Sequence, residues 1–154
     1  LTILNLGSGE PPPGHIWADA CDAEHHFPRG SFDLVVSNSV LEHVGGHERR
    51  KRFASAVHWL AERHWIQTPN LYFPVEPHWL FPGMQFLPFD ARVAVARHWH
   101  IGHVRADTRD QAIEEVASCE LISRSQLKAL FPDSDLWCER VLGLTKSFVA
   151  VKVR

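Results

Sequence analysis

Among the places where the sequence sets a carboxylate near an imidazole, two stand out as candidates: Glu42-His43, and Glu76-Pro77-His78. Histidine exchanges a proton near neutral pH and a neighbouring carboxylate can orient its ring, so either pair suits general-base work. A third feature is the run Asn5-Leu6-Gly7-Ser8-Gly9-Glu10. A glycine pair directly after an apolar strand lets a ligand meet the backbone without interference from Cβ atoms. In open α/β sheets that position, at the carboxyl end of the first strand, is where nucleotides bind. A tight turn without a ligand has the same appearance. The third glycine of a dinucleotide fingerprint is missing from GSGEPP, which disfavours a nucleotide-dependent oxidoreductase.

Other reactive residue types read as structural. The chain has 11 histidines, and His98, His100 and His103 cluster. His98 and His100 are two apart, which points them to different helix faces, so scattered surface histidines account for the count and no metal site is assigned. Arg49-Arg50-Lys51-Arg52 reads as a solvated helix face rather than a phosphate site. Cys21, Cys119 and Cys138 are too few and too far apart for a disulfide scaffold or a CxxC zinc site. Cys119 and Cys138 read as core residues. Tyr72, Phe73, Trp79 and Phe81 read as lid packing, with an aromatic platform for a sugar or ring as the alternative.

The elements that must position these residues follow from pattern and punctuation. Leu1 to Leu6 is a short β-prone run stopped by Gly7-Ser8-Gly9, and Pro11-Pro12-Pro13-Gly14 excludes regular structure. A brief strand over His15 to Ala20 is expected, ending near Asp19. Phe32 to Ser37 has the near-continuous apolar character of a strand covered on both faces. After Gly45-Gly46, the spacing of Phe53, Val57 and Leu60 predicts a helix. His64 to Gln67 is a strand stopped by Pro69, and Thr68 to Pro88 is a loop long enough to be a lid or binding loop. Helices are predicted over Asp90 to Trp99, after the capping box Thr108-x-x-Gln111, and after Ser123-x-x-Gln126 up to Pro132. Asp135 to Leu142 and Lys146 to Val153 predict a closing antiparallel hairpin. The class is α/β.

The 154 residues fit one domain. Lys and Arg total 16 against 18 Asp and Glu, a net charge of −2, which argues against a nucleic-acid or anionic-membrane partner. No stretch approaches about 18 uninterrupted apolar residues, and no signal-peptide layout opens the chain. Free thiols suggest a reducing compartment, the cytoplasm. The chain opens on Leu1 without an initiator Met, which suggests a trimmed N-terminus. The oligomeric state stays open.

The segment FDLVVSNSVLEHV (residues 32–44), preceded by Asp19-Ala20 and by the glycine turn, resembles the fourth-strand motif of class I S-adenosylmethionine (SAM)-dependent methyltransferases, particularly the small type-11 branch. The resemblance implies a Rossmann-like, mostly parallel sheet flanked by helices, with the C-terminal antiparallel hairpin. It implies SAM as cofactor, held by Gly7, Ser8, Gly9, Asp19, Ala20 and Asn38, with Asp19 beside the adenine and the segment from Asn38 beside the methionine part. The reaction implied is methyl transfer to an oxygen, or a nitrogen, of a small molecule, a sugar or lipid-linked acceptor being among the candidates. His43, His78 and Glu76 are then the catalytic candidates, with Glu42 as a second orienter. One departure stands out. Nine residues separate Gly9 from Asp19, three of them prolines, where the family places helix, strand and helix. A crossover needs at least about 10–12 residues, so residues missing near 10–14 are expected, and the acid that holds the ribose is not identified. The short interval also supports an alternative, a noncatalytic binding or scaffold protein on the same fold.

Overall fold

The computed structural model describes residues 1–153. The apolar opening forms β1 (Ile3–Asn5), which pairs in parallel with β2 (His15–Trp17), Ile3 opposite His15. Residues 6–14 join these strands without a helix, since three successive prolines lack N–H donors. Asp19 then caps a 3-10 turn over Ala20–His25, its Oδ1 accepting from the Cys21 backbone N–H at 2.9 Å.

The motif segment yields β3 (Val35–Asn38), helix α1 (His47–Leu60) and β4 (His64–Pro69), with β3 and β4 paired in parallel from Val35–His64 to Asn38–Gln67. The predicted stripe of α1 is buried at Phe53, Val57 and Leu60. After β4 the long loop folds into a small hairpin, β5 (Val75–Glu76) with β6 (Phe81–Pro82), and a 3-10 turn at Met84–Phe86. Helices α2 (Phe89–His98), α3 (Arg109–Ser118) and α4 (Arg124–Leu130) follow. Both predicted capping boxes form, Thr108 with Gln111 and Ser123 with Gln126. The closing hairpin is β7 (Asp135–Val141) and β8 (Leu144–Lys152). Its two turn residues, Leu142 and Gly143, have φ of 49° and 81°, which matches the right-handed twist of the strands.

The main sheet has the order β3-β4-β8-β7. The mostly parallel sheet expected from sequence is corrected: the sheet is mixed, with one parallel pair and β8 antiparallel to both neighbours. The cause lies at both ends of the chain, where the last two strands enter as a hairpin and β1 pairs with β2 instead of joining β3. The strand β3 is therefore an edge, covered on one face only. Val36 is 62% exposed and Leu34 50%. Residues of β1 and β3 still border one cleft, a cavity of about 310 Å³ lined by Leu4, Ala20, Val35 and Asn38 among others.

One core joins α1, α4 and the sheet through Phe53, Val57, Ile66, Leu127, Phe131 and Phe148. A second joins the loop after β4 to α2 and α3 through Trp79, Met84, Val93, Ala96, Ala112 and Val116. The arginine run is not the solvated face its composition suggests. Arg49 pairs with Asp19, Arg52 with Asp22, and Arg50 is buried and pairs with Glu120. These pairs tie α1 to the 3-10 turn on one side and to the segment after α3 on the other.

Candidate active site

The site is built where β3 and β4 end. Ser39, the first residue past β3, has φ of 53°, a left-handed value that is uncommon for serine. Its backbone N–H and Oγ both bond Gln67 Oε1 at 3.0 Å, which fixes the sharp exit of the chain. The next turn sends Leu41 and Glu42 into the interior, both fully buried, and leaves His43 outward.

Beyond β4 the chain turns at Asn70 and reaches Glu76, which is buried and accepts three hydrogen bonds. Its Oε2 takes the backbone N–H groups of His78 (2.8 Å) and Trp79 (2.9 Å), and its Oε1 takes His78 Nδ1–H at 2.6 Å. The i to i+2 spacing read from sequence thus forms a carboxylate–imidazole pair. His78 Nε2 lies 3.2 Å from His43 Nε2, the rings edge to face at 88°. His43 Nδ1 faces the Ser118 carbonyl at 3.2 Å. Cys119 Sγ, the next residue, lies 3.5 Å from His78 Nδ1 and 3.9 Å from Nε2. The candidates His43, His78 and Glu76 therefore meet in one cluster, although they come from different segments.

Burial and charge act on this cluster in opposite directions. Burial would push the His78 pKa down, but the hydrogen bond and charge of Glu76, joined by Glu42 and Glu115, hold it above the ordinary histidine value. Burial raises the Glu42 carboxyl, opposed by hydrogen bonds from its own backbone and from Thr68 Oγ1 at 2.9 Å and by the two histidines. Burial, then the charges of Glu76 and Glu42, push the Cys119 thiol strongly up.

A cavity of about 280 Å³ adjoins the cluster, lined by Glu76, Trp79, Gln85, Arg92, Cys119 and Glu120 among others. Trp79 Nε1, Gln85 Oε1 and Arg92 Nε are buried here without a protein hydrogen-bond partner. Buried polar atoms left unpaired are costly, so three of them on residues that line one cavity mark it as a candidate seat for a polar ligand. The aromatic residues of the loop divide: Trp79 is buried and Phe81 packs edge to face on Trp99, as expected for lid packing, whereas Tyr72 is exposed and stacks on Phe86.

The backbone of the loop is held by Gly102, whose residue type had carried no signal. The His103 N–H donates to the His78 carbonyl at 2.8 Å, and a Cβ on Gly102 would come within 2.5 Å of that same oxygen. Gly102→Ala should therefore push the 100–104 segment off His78 and cost about 1–3 kcal/mol. Urea denaturation checks this; an unchanged midpoint would show that the contact is not needed.

The glycine-turn candidates follow β1, in the two-stranded sheet rather than in the main sheet whose strand ends lead to the histidine cluster. Ser8 and Gly9 are exposed, and Gly9 has φ of 81° with no atom within 4 Å of where a Cβ would stand. The bare face of Gly7 is used differently: a Cβ there would lie 2.5 Å from the Trp17 ring, so the indole itself packs on the glycine. Asp19 is engaged by Cys21 N–H and Arg49, whose hydrogen bond and charge outweigh burial and hold its carboxyl below the usual range. Ala20 is half-buried beside the cleft, and Asn38 is exposed at the end of β3. Sequence reasoning missed Cys119 and the carbonyl of Ser118 as parts of the site. Neither lies near the histidines in sequence, so no spacing could have shown them.

Comparison with known proteins follows the same division. Residues 8–63 match the family described as Methyltransferase domain, type 11, which takes in Asp19, Asn38 and His43 but neither His78 nor Cys119. Among solved structures the chain is similar to a SAM-dependent methyltransferase from Methanosarcina mazei, with 12% identity and a TM-score of 0.51 over 89% of this chain and 64% of that one. It is also similar to a candidate O-methyltransferase from Nostoc punctiforme, with 11% identity and a TM-score of 0.47 over 90% of this chain and 36% of that one. The chain spans less than two thirds of the length of either protein. No curated protein matches it. Residues 8–63 thus resemble the methyltransferase-domain family, and the chain has an α/β fold similar to that of the Methanosarcina mazei protein.

Proposed function

We propose that the chain is a SAM-dependent methyltransferase whose acceptor is an oxygen, or a nitrogen, of a small polar molecule. The observation that carries this reading is the His43–His78–Glu76 cluster at the carboxyl ends of β3 and β4, inside a fold of the methyltransferase family. That edge is where ligands bind in sheets of this kind.

The residues present fit the cofactor at Ala20 and Asn38, which line the cleft between β1 and β3, with Ser8 and Gly9 offering open backbone after β1. When bound, SAM supplies an electrophilic methyl group. Gly7 supports Trp17, and Asp19 reaches an adenine only from within its pairing to Arg49. On the acceptor side, Trp79 Nε1 and Arg92 Nε donate and Gln85 Oε1 accepts, which orients a hydroxylated or amidic molecule in the adjoining cavity. Glu76 holds the proton on His78 Nδ1 and leaves Nε2 unprotonated beside His43 Nε2 at 3.2 Å, so the two rings form the basic end of the cluster that would take a proton from an acceptor hydroxyl. Arg92, Glu76 and Glu120 place both signs of charge on the wall, which suits a polar acceptor of small size, a sugar among them. Three free cysteines among the described residues favour a reducing compartment, the cytoplasm. No helix among the described residues is long and apolar enough to cross a membrane.

Titration calorimetry of the full chain with SAM and S-adenosylhomocysteine tests the reading. Binding is expected, and Gly9→Val should remove it by setting a branched side chain at a left-handed position on open backbone. No heat at millimolar cofactor, with a chain verified complete by mass spectrometry, would instead favour the noncatalytic scaffold, which the short 10–18 interval and the Trp17 contact on Gly7 support.

A further inference from the structure

We propose that His43 Nε2, His78 Nε2 and Cys119 Sγ bind one divalent ion of the zinc class beside the acceptor cavity. The three ligands come from the turn after β3, the loop around β5 and the end of α3, and their donor atoms all lie within 4.8 Å of one another. The partners of each ring decide its tautomer. The Ser118 carbonyl can only accept, so His43 Nδ1 carries the proton. Glu76 Oε1 accepts from His78 Nδ1 while Oε2 takes two backbone N–H groups, which keeps Glu76 a carboxylate and Nδ1 the donor. Two Nε2 lone pairs are then left facing each other at 3.2 Å. Neutral rings in these tautomers have no proton to share across this contact, which a cation between the two nitrogens would bridge.

The third atom and the surrounding charge decide which. A proton has no use for Cys119, whose sulfur lies 3.9 Å from His78 Nε2. Tetrahedral zinc, with Zn–N about 2.0–2.1 Å and Zn–S about 2.3 Å, sets its donor atoms roughly 3.3–3.6 Å apart; the imidazoles at 3.2 Å are close to this, and Cys119 Sγ, 3.5 Å from His78 Nδ1 and 3.9 Å from Nε2, must swing toward Nε2. Both rings already have the outer partners that metal-binding histidines require, a carboxylate for His78 and a carbonyl for His43. Glu42 is fully buried next to His43, and its Oε1 has no hydrogen-bond partner. The Glu76 carboxylate, and the thiolate that Cys119 becomes on binding, supply negative charge that a dication offsets. Two imidazoles and a thiolate select zinc or cobalt over magnesium or calcium. Binding replaces the Cys119 S–H bond by an S–metal bond and releases the proton to solvent. Three protein ligands leave a fourth position open, as in catalytic zinc sites. The part that this position would play, holding the acceptor oxygen, rests on the methyltransferase reading; the binding of metal does not.

The test uses the full chain without SAM. After loading with Zn²⁺ and dialysis against metal-free buffer, one equivalent of zinc is expected to remain. The Co²⁺ form should show a thiolate-to-cobalt charge-transfer band, absent in Cys119→Ala and retained in Cys138→Ala. Glu76→Gln should weaken zinc binding by roughly 10–100-fold. If Cys119→Ala fails to fold, alkylation of the native chain gives the answer: zinc should slow modification of Cys119 and leave Cys138 unaffected. Substoichiometric zinc, a cobalt band that survives Cys119→Ala, or equal alkylation with and without zinc would overturn the proposal. Because calorimetry with SAM is a separate measurement, a failed metal site and a failed methyltransferase reading are distinguishable.

Discussion

Replacing His78 with alanine should lower methyl-transfer turnover by roughly 10²–10⁴-fold, the range typical for loss of a positioned acid–base group, while SAM affinity stays within a few-fold. The two effects separate because His78 stands after β4, outside the segment that carries the cofactor candidates, and its ring meets Glu76, His43, Cys119 and Trp79. Single-turnover kinetics alongside calorimetry measure both quantities. If SAM affinity collapses with turnover, the loop belongs to the cofactor seat and its role here is misassigned. Glu76→Gln offers a graded comparison. Its amide has one acceptor oxygen where the carboxylate uses two, so it can serve either the ring or the two backbone N–H groups, and a rate between those of the native chain and His78→Ala is expected.

The second large effect concerns stability in acid and arises far from the site. His64 opens β4 fully buried, its Nε2 bonded to Ser134 Oγ at 2.7 Å and its ring packed between His58 and Phe131. Burial, and then the charges of His58 and Lys152, push its pKa down to about 4. In the unfolded chain the same ring titrates near 6.5, so between these values the unfolded state binds the extra proton. Stability is therefore full above about pH 6.5 and falls as pH drops toward 4, by on the order of 3 kcal/mol. His58, half-buried beside it, is lowered in the same direction and adds to the loss. Urea denaturation from pH 7 to pH 4 checks the slope. The double variant His64→Leu/Ser134→Ala removes both members of the hydrogen bond and should flatten the curve. Equal slopes in the two proteins would place the acid sensitivity elsewhere.

What could be read from sequence was whatever is local or follows a short repeat. The capping boxes at Thr108 and Ser123 need only side chains three residues apart, and both form. The closing hairpin shows in the alternation around Val149 and Val151, and the stripe Phe53, Val57, Leu60 in its spacing. The Glu76–His78 pair was legible for the same reason. Long-range pairing was not. Composition alone made the Arg49–Arg52 run look solvated, because Asp19, Asp22 and Glu120 are brought to it only by tertiary packing. An apolar run made β3 look covered on both faces, although the pairing of β1 with β2 leaves it an edge. Cys119 was read as core, and it is indeed buried. Its nearness to His78, across 41 positions of chain, depends on how α3 packs.

The place of β8 has a consequence for how the polypeptide reaches this state. Among the eight strands of the described residues it is made last, yet it lies between β4 and β7 and contributes Phe148 and Ala150 to the main core. During synthesis, β4 must wait about 75 residues with its outer ladder unsatisfied, from Asn70, whose N–H bonds the Lys146 carbonyl, to that distant partner. A chain cut short before Leu144 would lose its middle strand rather than a margin, and its collapsed remnant would be a target for proteases and chaperones.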